Sequence, residues 1–325
     1  MMDFYIRHLI IHQFSPSHPD IQLSHHELLV TPNLDAYFQK KLAKVFSDDA
    51  KRGRFDAEHP QLSHLNDDLM AWSKVMANDW REAFVLSDNQ KTNDLVFIDF
   101  DLEGQPYRAF LRLALREQLA HVDDTSDRPI RLVPNNLPSG AQAPDEALVI
   151  AKKTGDYYLI EKRIKHDGSF SNYFSEKVLQ VTPKESVKKS IKQVEQTARK
   201  VAEQFHKDDF NFQTKVKSTL YQHLEEDNEL SPEKLADQLF DDNLTARLTF
   251  VDRVKESLPE PVPIADIDYS RQVKKLENQK LSLSNGIELI VPNAIYQDAE
   301  SVEFIQNDNG TYSILIKNIE DIKSK

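Results

Sequence analysis

The sequence predicts an α+β fold: an N-terminal, mainly antiparallel sheet with helices, then a helical region, then a small C-terminal β-hairpin sheet. Three observations predict it. The first 165 residues carry short apolar runs broken by turn residues, the pattern of hairpin-linked strands. From Thr182 the apolar spacing shifts to threes and fours, the helical period. After Leu281, strand-like runs return around two Asn-Gly dipeptides, the strongest short hairpin signal.

Taken in order, Phe4–Phe14 and Ile21–Val30 read as strands, with the proline-bearing Ser15–Asp20 as their turn. Leu34, Phe38, Leu42 and Val45 recur at helical spacing, so a helix is expected over Leu34–Phe46 with Asn33 as N-cap. A second helix is expected over Leu65–Phe84, capped by Asn66, with Leu69, Trp72, Met76 and Trp80 on one stripe. Leu95–Leu102 and Tyr107–Leu115 flank Glu103-Gly104-Gln105 as a hairpin, and Ala147–Lys153 and Tyr157–Ile164 flank Thr154-Gly155-Asp156 as another.

Thr182-Pro183-Lys184-Glu185 reads as a capping box opening a helix that runs to about Lys207. Further helices are expected at Asn211–Leu224, Pro232–Phe240 (capped by Ser231) and Leu244–Leu258. The run Pro259-Glu260-Pro261-Val262-Pro263 then ends helix. The tail strands are Ile287–Val291, Val302–Ile305 and Tyr312–Ile316, with Asn285-Gly286 and Asn309-Gly310 as turns. At ~150 residues per domain, a chain of 325 residues suggests two. The expected division is an α+β domain over 1–165 and a helical domain with the β element over 166–325, the latter containing a linker at about 259–280.

Charge is unevenly spread. The formal net charge is -12, which opposes nucleic-acid binding if taken as a sum. Residues 1–150 carry -8 and residues 218–325 carry -10, but residues 151–217 carry +6. A basic segment is thus set inside an acidic protein. The chain has no cysteine, which excludes disulfides, thiolate nucleophiles and Cys-ligated zinc. The apolar run Leu9–Ile11 is far too short for a signal peptide or membrane span, so a cytoplasmic protein without membrane attachment is expected.

The basic segment holds the main candidate site. Val187, Ile191, Val194, Ala198, Val201 and Phe205 form one apolar stripe at ~100° per residue. Lys188, Lys189, Lys192, Arg199 and Lys200 fall on the opposite face, a ridge that could track phosphates. The same ridge could instead be a solvated face or dock on the protein's own carboxylates. The narrow stripe also permits a homodimer seam, although packing within its own domain is the simpler use. A second cluster comprises Lys162, Arg163, Lys165 and His166, with Lys152 and Lys153 on the hairpin partner and Tyr157 and Tyr158 between them, as in base-stacking surfaces, although alternating tyrosines are equally ordinary strand residues.

Other chemistry is thinly represented. Asp99 and Asp101 are two apart on a strand and share a face, so they could hold Mg²⁺ for phosphodiester cleavage. The sequence names no third acid for such a site. His8 and His12 are four apart on a strand, too far to share one metal, and His25-His26 point to opposite faces. With only 7 glycines there is no phosphate-cradling loop, and no GxSxG elbow occurs. No cofactor, metal site or catalytic residue is expected.

The ordered set of features resembles the 37 kDa nucleoid-associated protein family of bacteria. The resemblance is carried by Ile10-Ile11-His12, by Leu137-Pro138-Ser139 leading into Glu146-Ala147-Leu148-Val149-Ile150, and by Tyr158-Leu159-Ile160-Glu161-Lys162. Tyr173-Phe174 before the basic helix, and the closing Asn285-Gly286-Ile287 and Asn309-Gly310-Thr311-Tyr312-Ser313-Ile314 turns, complete it. It covers essentially the whole chain, and the mass of 37.5 kDa agrees. The resemblance implies a place on the bacterial nucleoid and association with DNA, directly or through another nucleoid protein. It transfers no catalytic motif and no DNA-contacting residue. Two rivals stay open: a protein-interaction adaptor brought to the nucleoid by a partner, and a metal-dependent nuclease centred on Asp99 and Asp101.

Overall fold

A computed structural model describes residues 2–321 except 19, 67, 89–90, 122–129, 167, 206–209, 228, 258–261, 264–269, 297 and 299. The chain divides into two compact units, Met1–Ser186 and Val187–Lys325. Segment 166–186, expected with the helical part, belongs to the first unit and places Tyr173, Phe174 and Leu179 in its core.

The first unit is built on a six-stranded antiparallel sheet. Its strands are β1 (Phe4–Phe14), β2 (Lys51–Arg54), β3 (Asn93–Leu102), β4 (Gln105–Ala114), β7 (Glu146–Ala151) and β8 (Asp156–Ile160), in the spatial order β1-β3-β4-β7-β8-β2. A separate two-stranded hairpin, β5 (Arg116–His121) and β6 (Ile130–Asn136), is inserted between β4 and β7. Helix α1 (Pro32–Val45) links the two edge strands β1 and β2, and α2 (Leu69–Phe84) leads from β2 back to β3.

The helices cover opposite faces. Phe38, Leu42 and Val45 of α1 pack with Val96, Ile98, Phe100 and Val149. Trp72, Met76, Trp80 and Phe84 of α2 pack with Leu95, Phe97, Phe110 and Leu148. With both faces covered, the central strands read as continuous apolar runs rather than alternating ones. Each of these large side chains contributes ~1.5–3 kcal/mol by leaving water.

Several local expectations are corrected. Ile21–Val30 is not a strand: Gln22 forms an isolated bridge to Gln13 and Leu28 N donates to the Leu9 carbonyl, but the Ser24 N–H goes to His12 Nδ1 and no ladder forms. Thr31, not Asn33, caps α1, accepting from Leu34 N at 3.4 Å, because Pro32 takes the first helical position. Asp68, not Asn66, caps α2, accepting from Ala71 N at 2.7 Å. The Thr182–Glu185 capping box does not form either. Lys184 exchanges both backbone hydrogen bonds with Arg52, at 2.7 and 3.1 Å, which commits it to an extended conformation.

The second unit comprises α3 (Val187–Gln204), α4 (Phe210–Gln222), α5 (Pro232–Leu239), α6 (Leu244–Ser257) and α7 (Ser270–Leu276). Two hairpins follow, β9 (Asn278–Ser282) with β10 (Glu288–Pro292), and β11 (Val302–Gln306) with β12 (Tyr312–Ile316). Their turns carry Gly286 and Gly310 at φ of 85° and 78°, a left-handed backbone that glycine adopts without strain. Ser231 sits at the N-cap of α5, but its hydroxyl bonds Glu233 rather than a backbone N–H. Of the segment expected as a linker at 259–280, residues 259–261 and 264–269 lie outside the described residues. Val262–Pro263 pairs with Glu229–Leu230, and Ser270–Leu276 is helical.

Candidate nucleic-acid interface

Helix α3 forms because its apolar stripe has somewhere to go. Val187, Ile191, Val194, Ala198 and Val201 are all buried, and the helix packs against α6 and α4 of its own unit. The opposite face carries Lys188, Lys189, Lys192, Arg199 and Lys200, all exposed. Lys188 and Lys189 engage other groups of the chain. Arg199 donates to the neutral Gln213 Oε1 at 3.1 Å, and its charge acts on the half-buried Glu195. Lys192 and Lys200 make no hydrogen bond or ion pair among the described residues.

A groove of about 300 Å³ runs between α3 and α4. Lys192, Gln196 and Arg199 form one wall, and Gln213 and Lys217 the other. Phe212 and Val216 line it from below, both buried. Glu195 also faces the groove, half-buried. Burial lifts its pKa above the usual carboxylate range, against the opposing pull of Lys217, Arg199 and Lys275. Cations therefore outnumber the single carboxylate. Helical spacing within α3 does not single out Gln213 and Lys217. The signal that could find them is their place in the basic segment, on the helix next to α3.

The strand cluster is different. Lys162 pairs with Asp145 at 3.4 Å, and Lys165 with Asp88 at 3.0 Å. Arg163 donates to the Phe170 carbonyl at 2.8 Å, and Lys153 to Gln105 at 2.9 Å. These cations are largely spoken for within the fold. Tyr157 and Tyr158 are not a stacking surface: Tyr157 is buried against Phe55, with ring centroids 4.5 Å apart, and Tyr158 packs on Phe46 at 4.7 Å.

Asp99 and Asp101 are each taken by arginine. Arg108 grips Asp99 with two hydrogen bonds of 2.8 Å, and Lys152 adds a third at 2.8 Å. Burial alone would raise the pKa of Asp99, but these two cations outweigh it and hold the carboxyl below its usual range. Asp101 is paired with Arg7. Among the described residues no group of three or more His, Asp or Glu side chains is placed to hold a metal ion. His12 is a core residue. Its Nδ1 accepts from Ser24 N and its Nε2 lies 3.0 Å from Ser73 Oγ, so the proton sits on Nε2. Burial, helped by Lys74, pushes its pKa down to about 4.

Two other polar groupings are structural. Arg112, Glu146, Tyr173 and Trp80 form a sealed network in which Glu146 accepts from Arg112 at 2.9 Å, Trp80 at 2.9 Å and Tyr173 at 2.6 Å. Burial works against the charge on Arg112, but Glu146 and Tyr173 more than offset it, and its pKa is raised. The Leu137-Pro138-Ser139 turn is held by α1: Tyr37 donates to the Pro138 carbonyl and buried Lys41 to those of Ser139 and Gln142, at 2.8, 2.9 and 2.8 Å. Burial pushes the Lys41 pKa down to about 8.

No helix among the described residues is long and apolar enough to cross a membrane. No curated protein matches the chain significantly. A family model described as nucleoid-associated protein YejK matches residues 10–323. With the match running almost end to end over the sheet, the basic helix and the closing hairpins, the chain belongs to this family of bacterial nucleoid-associated proteins.

Proposed function

We propose that this protein is a non-catalytic component of the cytoplasmic nucleoid that binds DNA directly, weakly and without strong sequence preference, through the exposed face of α3. The observation that carries this reading is the row of exposed cations on one helix face. Lys192 and Lys200 have no partner among the described residues, and Arg199 hydrogen-bonds an amide while sharing the half-buried Glu195 with Lys217 and Lys275. Lys188 and Lys189 extend the ridge. Cations so placed neutralise phosphates and release condensed counterions, which favours binding but reads no bases. The net charge of -12 opposes the approach of a polyanion, so the affinity is low. The non-catalytic part of the reading is supported by the arginine pairing of Asp99 and Asp101, which leaves no open carboxylate pair for Mg²⁺.

Direct binding is tested by titrating the whole chain with duplex DNA at two salt concentrations. The expected log K falls with log salt at ~0.9 per phosphate neutralised. A second reading, an adaptor held on the nucleoid by a protein partner, is favoured by exposed aliphatics on the hairpins. Leu119 is 73% exposed on β5, and Ile290 is 65% exposed on β10. Absence of DNA binding even at low salt would select the adaptor.

A further inference from the structure

The α3–α4 groove differs in kind from the ridge beside it. A ridge offers charge to a phosphate backbone lying across it. The groove adds depth, an apolar lining and two carboxamides. Its volume of about 300 Å³ is at the lower end of small-ligand sites and far too small for a duplex to enter. The buried side chains Phe212 and Val216 lie beneath, and the planar guanidinium of Arg199, fixed by Gln213, stands at the wall. Guanidinium planes stack on bases, and carboxamides pair with base edges. Gln196 is exposed at the mouth, and Gln213 accepts from Arg199 through its oxygen. Lys217 rises from α4 on the side opposite Lys192. It makes no hydrogen bond or ion pair among the described residues, and its charge acts on Glu195.

We propose that this groove seats one unpaired nucleotide of a nucleic-acid strand, with the phosphate between Lys192, Arg199 and Lys217 and the base against the apolar floor beside Gln196 and Gln213. This rests on the reading of α3 as the DNA face and adds a preference that the ridge alone does not supply. Single strands, gaps and frayed ends present such nucleotides, and an intact duplex does not. Burial that disfavours the charged form of Glu195 reduces the one repulsion a phosphate would meet there. The chemistry the groove recognises is that of a nucleoside phosphate, and a free mononucleotide shares it.

The test uses the whole chain and fluorescence anisotropy at low salt, with labelled oligothymidylate and a duplex of equal length as probes. The groove variants are Lys217→Gln and Gln196→Ala, neither of which removes a buried side chain, and the ridge control is Lys200→Gln. The parent should bind the single strand several-fold more tightly than the duplex. Either groove variant should weaken single-strand binding roughly ten-fold while leaving duplex binding within about two-fold. Lys200→Gln should weaken both alike. Equal affinity of the parent for both probes would overturn the proposal. So would equal losses on both probes in Lys217→Gln, although that outcome keeps the ridge. Saturation by thymidine monophosphate as tightly as by the oligonucleotide would also overturn it, making the groove a site for free nucleotides. No binding to either probe would remove the DNA reading itself.

Discussion

The Tyr173 hydroxyl donates to the Glu146 carboxylate at 2.6 Å, and neither side chain has any exposed surface. Tyr173 lies in the segment that follows the sheet, and Glu146 opens β7. Their bond ties that segment to the core, in a cluster that also contains Arg112 and Trp80.

Removing parts of this cluster should cost unequally. Tyr173→Phe takes one donor from a charged acceptor that keeps two others, an expected loss of ~1.5–3 kcal/mol. Glu146→Gln leaves the buried Arg112 without its counter-charge, an expected loss of ~3–5 kcal/mol. Both tryptophans, Trp72 and Trp80, lie in the first unit, so their fluorescence during urea unfolding reports on that unit. Equal stability of Tyr173→Phe and the parent would show that Arg112 and Trp80 satisfy Glu146 by themselves.

His12 should make the first unit acid-sensitive. Its folded pKa is about 4, against 6.5 in an unfolded chain. A base with a depressed folded pKa is held neutral by the fold, so between these values the unfolded chain binds more protons. Its contribution is fully present above pH 6.5 and is lost as pH falls towards about 4. The difference amounts to about 3 kcal/mol at 1.36 kcal/mol per unit. His12→Gln removes the titrating group, so the slope of stability with pH over that window should flatten even if the variant is weaker throughout. An unchanged slope would assign the acid sensitivity to other groups.

Asp99 should matter for stability and not for cleavage. Arg108 is only 1% exposed, and Asp99 is its carboxylate partner. Asp99→Asn therefore strands a buried guanidinium, at a cost of ~3–5 kcal/mol. The parent should leave supercoiled DNA uncut with Mg²⁺ or Mn²⁺. Cutting that disappears in Asp99→Asn, with folding intact, would restore the nuclease reading.

Local signals are legible in the sequence and most long-range pairings are not. The central strands, the two long helices α1 and α2 and both C-terminal hairpin turns follow from apolar runs, helical spacing and Asn-Gly. One long-range pair is within reach: the turn at Glu103-Gly104 sets Asp99 opposite Arg108, so the hairpin itself names the group that neutralises the carboxylate. Others are out of reach. Nothing near Thr182 announces that Arg52 will hold Lys184 extended and displace the capping box. Nothing near Lys162 announces that Asp145 will lie 3.4 Å away, or near Lys165 that Asp88 will pair with it. The α3 ridge is legible because a helix face is defined by spacing alone. The groove beside it is not, because it needs the packing of α4.

The ridge itself yields the most discriminating prediction. Replacing Lys188, Lys192 and Arg199 with glutamate changes exposed positions of α3 and leaves its buried stripe intact. Surface changes of this kind usually cost within ~0.5 kcal/mol each, so the variant should fold. Duplex affinity should fall by a similar factor on unrelated sequences, since bonds to phosphate carry no base information. The salt slope should drop by ~0.9 for each phosphate that is no longer neutralised. If the cations instead serve the protein's own carboxylates, the same variant should melt at lower temperature and bind DNA as before. A melting curve beside affinities at two salt concentrations separates these outcomes. A folded variant with unchanged affinity and slope would take α3 out of any DNA interface.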